Sequence, residues 1–386
     1  MVTRFRLVRK LSLWITAFIG VALLAACQPS ATGGPQIDTR DAVPVALLVP
    51  QAGSTAGLAQ DLENAARLAA GDLSGAEIAL QVYNTGGTAA GAAGAATQAV
   101  ADGAKIIIGP LFADAAAAAG SAVAGRGINV LSFSNNPAVA GGNVFILGST
   151  FQNTANRLAG YAARSGVNDI AIVHGASTPE ELGRDAIARA LAANGQRLST
   201  SVSFPLSQSA IVDAAPGIAA QVTGSGATGI FLTSGNDGAL PFLVETLPNA
   251  GLGRDSIQYI GLQRLDIPSS ATSLPGLQGA WFALPDPGLS AQFRARYQAA
   301  YGTGPHPLAG LAYDGVAAVG ALVSAGQSDA LTGRALTRPS GFAGVGGIFR
   351  LLPNGTNERG LAVAQIQNSQ VAILDPAPRS FGGPGF

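Results

Sequence analysis

One cysteine, two histidines and one methionine in 386 residues leave little reactive side-chain chemistry. The single cysteine, Cys27, closes no internal disulfide, so oxidative cross-links hold no part of the fold. His174 and His306 occur without an H-E-x-x-H spacing or a cysteine cluster, which argues against a zinc site. Lysine is as scarce: beyond Lys10 there is only Lys105, so P-loop and Schiff-base chemistry have one residue to draw on. Neither a G-x-S-x-G elbow nor an S-x-x-K pair occurs. GSGATG (224–229) satisfies G-x-G-x-x-G as letters, yet it precedes an apolar run, whereas a dinucleotide loop must follow a strand and open a helix. An enzyme is the function class with least support, and no cofactor or metal is implied.

Charge is sparse too, at 11% of residues, and 22 basic residues balance 22 acidic ones. Four of the basic residues, Arg4, Arg6, Arg9 and Lys10, stand together before a run from Leu11 to Ala26 that only Ser12 and Thr16 interrupt with polar side chains. A basic start and an apolar stretch shorter than the ~20 residues of a spanning helix read as a secretory signal peptide over 1–26. Leu24-Ala25-Ala26-Cys27 resembles a bacterial lipobox, which implies cleavage before Cys27, lipidation of its sulfur and acylation of the new amino group. Several acyl chains give lasting attachment where one is marginal. Gln28 stands where such lipoproteins carry Asp for inner-membrane retention, so the resemblance implies a periplasmic protein lipid-anchored to the outer membrane. Removing the four leading cations from the 22 leaves 18 against 22 acidic residues, a balance that argues against nucleic acid as a partner.

What is abundant is small and apolar: 48% hydrophobic residues and 52 glycines. Residues 27–42, with Pro29, Gly33, Gly34 and Pro35, have no periodicity and read as a flexible tether. From Pro44 onward, short unbroken apolar runs alternate with Ala-rich amphipathic stretches. VALLVP (45–50), IALQVYN (78–84), KIIIGP (105–110), INVLSFS (128–134) and VFILGS (144–149) read as strands, with helices over 57–73, 87–103 and 113–124 between them. Runs without alternation suit strands covered on both faces, and intervening helices suit parallel crossovers. The same rhythm restarts after 150, with strands at 169–175, 199–204, 228–234 and 256–262 and helices at 151–165, 178–195, 209–222 and 237–250. Thr178 with Glu181 predicts a capping box, and Gly195 a helix end. Helices near 289–301 and 307–324 follow. Residues 346–374 then carry hairpin signals, with turns at Pro353-Asn354-Gly355 and Asn368-Ser369. The fold class is α/β, with two doubly wound parallel-sheet halves.

The phrases PVALLVPQAG, AARLAAGDL, GAKIIIGPLF, INVLSFSNNPAVA, FQNTANRLAGYAA and AGLAYDGVAAVGAL, in this order, resemble type 1 periplasmic binding proteins of the leucine/isoleucine/valine-binding group. The resemblance implies two lobes joined by three crossovers, near 150, 280–287 and 325–340, around a cleft that closes by hinge motion. Lobe one would comprise 43–150 plus 288–325, and lobe two 151–287 plus 326–375. Residues 376–386 would be a C-terminal tail trailing over the surface. NERGLAVAQIQNSQVAILDP near the chain's end is also similar to alphaproteobacterial penicillin-binding-protein activator lipoproteins. That likeness implies a regulator of peptidoglycan synthesis acting through a class A penicillin-binding protein. The alternative is the solute-binding subunit of an ABC importer for amino acids or related small molecules.

Open α/β sheets bind ligands at the carboxyl ends of their strands. Those ends offer Gln51, Asn84, Phe112, Ser132, Ser134 and Asn135 in lobe one, and Ser234, Asn236, Asp237, Arg264 and Asp266 in lobe two. His174 ends another strand of lobe two, and Tyr313 would bring a phenol near the hinge. The amino-acid-binding relatives hold the ligand's carboxylate with hydroxyls and backbone amides of lobe one and its ammonium with an acid of lobe two. Leu111-Phe112-Ala113-Asp114 and Gln263-Arg264-Leu265-Asp266 depart from that pattern, which implies weak binding of free branched-chain amino acids.

Overall fold

The computed structural model describes residues 34–382. Cys27, the signal peptide and the first part of the tether lie outside the described residues.

The first half forms a parallel sheet of five strands in the order β2-β1-β3-β4-β5: β1 (Val43–Val49), β2 (Ile78–Asn84), β3 (Ile106–Ile108), β4 (Val130–Ser132) and β5 (Val144–Ile146). Helices α1 (Ala56–Asp72), α2 (Ala89–Ala101) and α3 (Ala113–Val123) connect them. The period of two sorts β1 between two cores. Val45, Leu47 and Val49 pack with Leu62 and Ala66 of α1. Ala46 and Leu48 pack on the other face with alanines of α2 and α3. Both faces are dry, which is why the strand reads as an unbroken apolar run.

The second half repeats the plan. Helix α4 (Phe151–Arg164) begins with a reciprocal cap in which Thr150 and Asn153 satisfy each other's backbone amides. Then come β6 (Asp169–Gly175), α5 (Thr178–Ala193), β7 (Arg197–Phe204), α6 (Gln208–Gly224), β8 (Gly229–Leu232), α7 (Leu240–Asn249), β9 (Gln258–Gly261) and β10 (Trp281–Leu284). At α5 the N-cap is Ser177 and no side chain caps it, so the box expected from Thr178 and Glu181 does not form. Glu180 is the carboxylate that turns back, accepting from the Gly175 amide at 2.8 Å.

The chain then returns to the first sheet with α8 (Pro287–Tyr301), α9 (Ala309–Val323) and α10 (Gly333–Leu336). Asp286 caps α8 by accepting from Leu289 N, and Gly302, at φ 79°, ends it. A small antiparallel sheet follows: β11 (Phe342–Gly344), β12 (Gly347–Leu351) and β13 (Asn357–Arg359). Finally β14 (Ala362–Gln367) and β15 (Gln370–Asp375) join the second sheet as an antiparallel hairpin. Its turn residues Asn368 and Ser369 both have positive φ, as a two-residue hairpin turn requires. The second sheet thus has seven strands, ordered β15-β14-β10-β9-β8-β6-β7.

Two expectations about the chain's path need correction. The third crossover is not near 325–340 but at 359–362, between β13 and β14. Leu331, Leu336, Phe342, Phe349 and Leu351, expected in lobe two, belong to the same core as α1 and α9. The apolar spacing of 331–351 specifies that these residues are buried and leaves open which core receives them. Nor does the tail trail away from Asp375. Ala377 is buried in the second lobe's core, and Phe381 packs against Arg350.

Candidate ligand site at the strand ends

In lobe one the residues at the carboxyl ends of the strands mostly hold one another. Asn84 Oδ1 accepts from the amides of Gln51 (3.0 Å) and Gly86 (2.9 Å), bracing the ends of β1 and β2. Ser132, fully buried, donates to Pro110 O at 2.9 Å and accepts from Ser134 N at 3.1 Å. Ser134 Oγ in turn accepts from Asn136 N at 3.1 Å. Both hydroxyls shape their own loop. Gln51, Asn135 and Phe112 keep exposed side chains here, Phe112 at 36%. Its loop is set by Gly109, at φ 89°, which passes so close to β1 that a Cβ would lie 2.2 Å from Leu48 O.

Lobe two repeats the pattern. Ser234 is fully buried and donates to Glu180 Oε1 at 2.6 Å, and Thr233 donates to Oε2 at 2.5 Å. Glu180 was no candidate from sequence, where it reads as an ordinary acid in a helix's first turn. Its third position in α5, where side chains reach back toward the cap, is the one signal that marks it. Asn236 Nδ2 donates to the carbonyls of Leu265 and Ile267, both at 3.0 Å, and so holds the loop after β9. Within that loop Arg264 and Asp266 pair through two hydrogen bonds of 2.5 Å. Arg264 therefore presents no free cation, and Asp266 no free anion. Asp237 is exposed, as are Leu206 (50%) and Ile267 (43%). His174 is buried, with Nδ1 3.2 Å from Gly175 O.

Tyr313 is not at the hinge. Its hydroxyl donates to Asp72 at 2.8 Å beside Arg296, and burial raises its pKa above the ordinary phenol value. Its neighbour Asp314 takes the hinge position, fully buried, accepting from Val345 N (2.8 Å) and Arg359 Nη1 (3.2 Å). Burial pushes the Asp314 carboxyl above the usual range, with Arg359 pulling the other way. Arg359 also donates to Leu147 O at 2.9 Å, and Asn357 to Ile146 O and Gly148 O. The first and third crossovers are thereby stitched together.

Two hollows are lined by other residues. One of about 370 Å³ sits between Asp286, Leu289 and Pro378. The other, about 510 Å³, opens at the start of β9 between Arg254, Tyr259 and Gln365. Among the described residues no group of three or more His, Cys, Asp or Glu is placed to hold a metal.

The periplasmic binding protein profile matches residues 42–370. The chain belongs to the periplasmic binding protein family. Its fold is that of the type 1 members, and a periplasmic location follows from the family. A putative branched-chain amino acid ABC transporter protein from Rhodospirillum rubrum matches with a TM-score of 0.73 at 17% identity, over 86% of this chain and 100% of that one. An ABC transporter substrate-binding protein from Desulfitobacterium hafniense, in complex with Leu, matches at 0.64 and 17% identity, over 86% and 100%. A solute-binding protein from R. palustris in complex with benzoate matches at 0.57 and 18% identity, over 89% and 99%. Identities this low establish the shared fold alone. A search of curated proteins finds no match.

Proposed function

We propose that this member is the solute receptor of a small-molecule import system, and that its ligand is not a free zwitterionic α-amino acid. The family and its transporter-associated relatives support the first part. The second part is carried by the pairing at the strand ends: Ser132 donates to Pro110 O, Ser134 accepts from Asn136 N, and Arg264 is paired with Asp266. What remains exposed there is apolar at Phe112, Leu206 and Ile267, with Gln51 and Asn135 in lobe one and Asp237 in lobe two as the polar side chains left. A zwitterion needs donors for its carboxylate and an acid for its ammonium. A charge buried without a partner costs several kcal/mol, which erases micromolar affinity. The protein is expected to show no thermal shift with millimolar Leu, Ile or Val. A ligand at a hundred times its dissociation constant would add about 2.7 kcal/mol of stability. A saturable rise in melting temperature with any of the three sinks the exclusion.

The same self-satisfied groups support a second reading, since a regulator that works by surface contact needs no ligand grip. In it the chain is an outer-membrane lipoprotein, anchored at Cys27, that activates a class A penicillin-binding protein. The test is affinity capture from cells carrying the parent or Cys27→Ser, with both fractionated. Recovery of a peptidoglycan synthase by the anchored parent favours this reading, and recovery of an ABC permease favours import. A Cys27→Ser chain that still fractionates with the outer membrane removes the anchor.

A further inference from the structure

The last described residues leave lobe two and come back to lobe one. We propose that residues 376–382 are a strap across the hinge, latched by Phe381 on Arg350, that limits how far the lobes separate.

Its root is Arg157 on α4, only 3% exposed. That guanidinium donates Nε to Leu361 O (2.6 Å) on the third crossover and Nη2 to Pro376 O (3.0 Å) and Asp375 O (3.2 Å), while Nη1 lies 2.9 Å from the Asp375 carboxylate. One buried side chain therefore holds the crossover and the start of the strap together. Ala377 then closes into the second lobe's core. Pro378 lies on Gly360, its carbonyl oxygen 3.0 Å from where a Cβ would be. Beyond it, Arg350 stands 4.6 Å over the Phe381 ring, and the ring edge fills the space over Gly341, where a Cβ would come within 2.6 Å. Arg350 belongs to β12, whose Phe349 and Leu351 are in the first lobe's core, and is fixed by Glu358 at 2.6 Å.

The strap is short. Five peptide steps separate Pro376 from Phe381, about 18 Å at full extension, so the two anchors cannot move further apart than that while the latch holds. Pro376 and Pro378 restrict the backbone and reduce the entropy lost on ordering it. The strap roofs the hollow of about 370 Å³ beside Asp286, Leu289 and Ile348, where the second crossover meets β12. A half-buried cation–π contact is modest, so the latch is reversible. The strap stands independently of what the strand ends bind.

Hydrogen exchange on the full chain tests this. The amides of Ile146, Asp286 and Gly360 bond to Gly355, Gly346 and Ile348 and bridge the crossovers and the small sheet. In Phe381→Ala they are expected to exchange about two- to fivefold faster, the size of one cation–π contact. Amides of β1 and β6 should keep the parent's rates. Phe381→Tyr retains a ring for Arg350 and should restore the parent's rates at all three hinge amides. Unchanged hinge exchange in Phe381→Ala, equal acceleration in β1 and β6, or failure of the tyrosine to restore protection each overturns the strap.

Discussion

Asp314→Ala is expected to lower the unfolding free energy by about 3–5 kcal/mol. The loss comes from what the substitution leaves behind. Arg359 lies between Asp314, Leu147 O and the Phe349 ring and is itself nearly buried, with Nη2 already lacking a partner. Without the carboxylate its charge has no counter-ion, and the Val345 amide loses its acceptor as well. Replacing both charges by apolar groups of similar size, Asp314→Leu with Arg359→Met, should recover most of the loss, because the cost lies in the unpaired charge and not in the absence of a pair. Urea unfolding of the parent, the single variant and the double variant measures this. A single variant within about 0.5 kcal/mol of the parent would refute the assignment, since that is the range of an ordinary surface substitution.

Gly109→Ala is the second large effect, at about 3 kcal/mol or more. Two costs add at this position. The residue sits at φ 89°, where a side chain is strained by roughly 1–3 kcal/mol. The new methyl would also meet Leu48 O at 2.2 Å and the Phe133 ring at 3.3 Å, and the oxygen belongs to a β1 held on both sides by its sheet partners. Relief requires β3 to move away from β1, which displaces Leu111 and Phe112 from the strand end. Chemical denaturation gives the stability loss, and the shift of the Phe112 resonances reports the loop. Gly94→Ala is the matched control: it lies on α2 with nothing within 4 Å of the added carbon, so it should be neutral or slightly stabilising. Equal behaviour of the two variants would contradict the close approach.

Much of the fold is legible in single residues. Ile106, Ile107 and Ile108 are all apolar and all buried, because β3 has a neighbour on each edge and helices on both faces. Asn368-Ser369 reads as a hairpin turn and is one: Asn tolerates the left-handed backbone the turn needs, and Ser369 is held there beside it at φ 61°. Tyr313 and Asp314 show where such reading stops. Adjacent helical residues point in different directions, and which of the two meets the hinge depends on how α9 is rotated against the sheet. Tyr313 faces Asp72, whereas Asp314 faces Val345 and Arg359. The strap was illegible for a related reason. A Pro/Gly-rich tail has no periodicity, and the groove that receives Phe381 is built by Gly341 and Arg350, residues remote from it in sequence.

By itself the sequence determined the class of fold, because a sheet covered on both faces demands unbroken apolar strands and a parallel one demands helices between them. It also determined which residues stand at the strand ends, since those follow from where each apolar run stops. Only the tertiary structure decided which of those residues are free to meet a ligand. Ser132 finds its acceptor 22 residues away at Pro110, Ser234 finds Glu180 across 54 residues, and Asn236 finds Ile267 across 31. A polar side chain that leaves water seeks the nearest partner in space. Nearness in space is set by the packing of the whole chain and not by any local pattern.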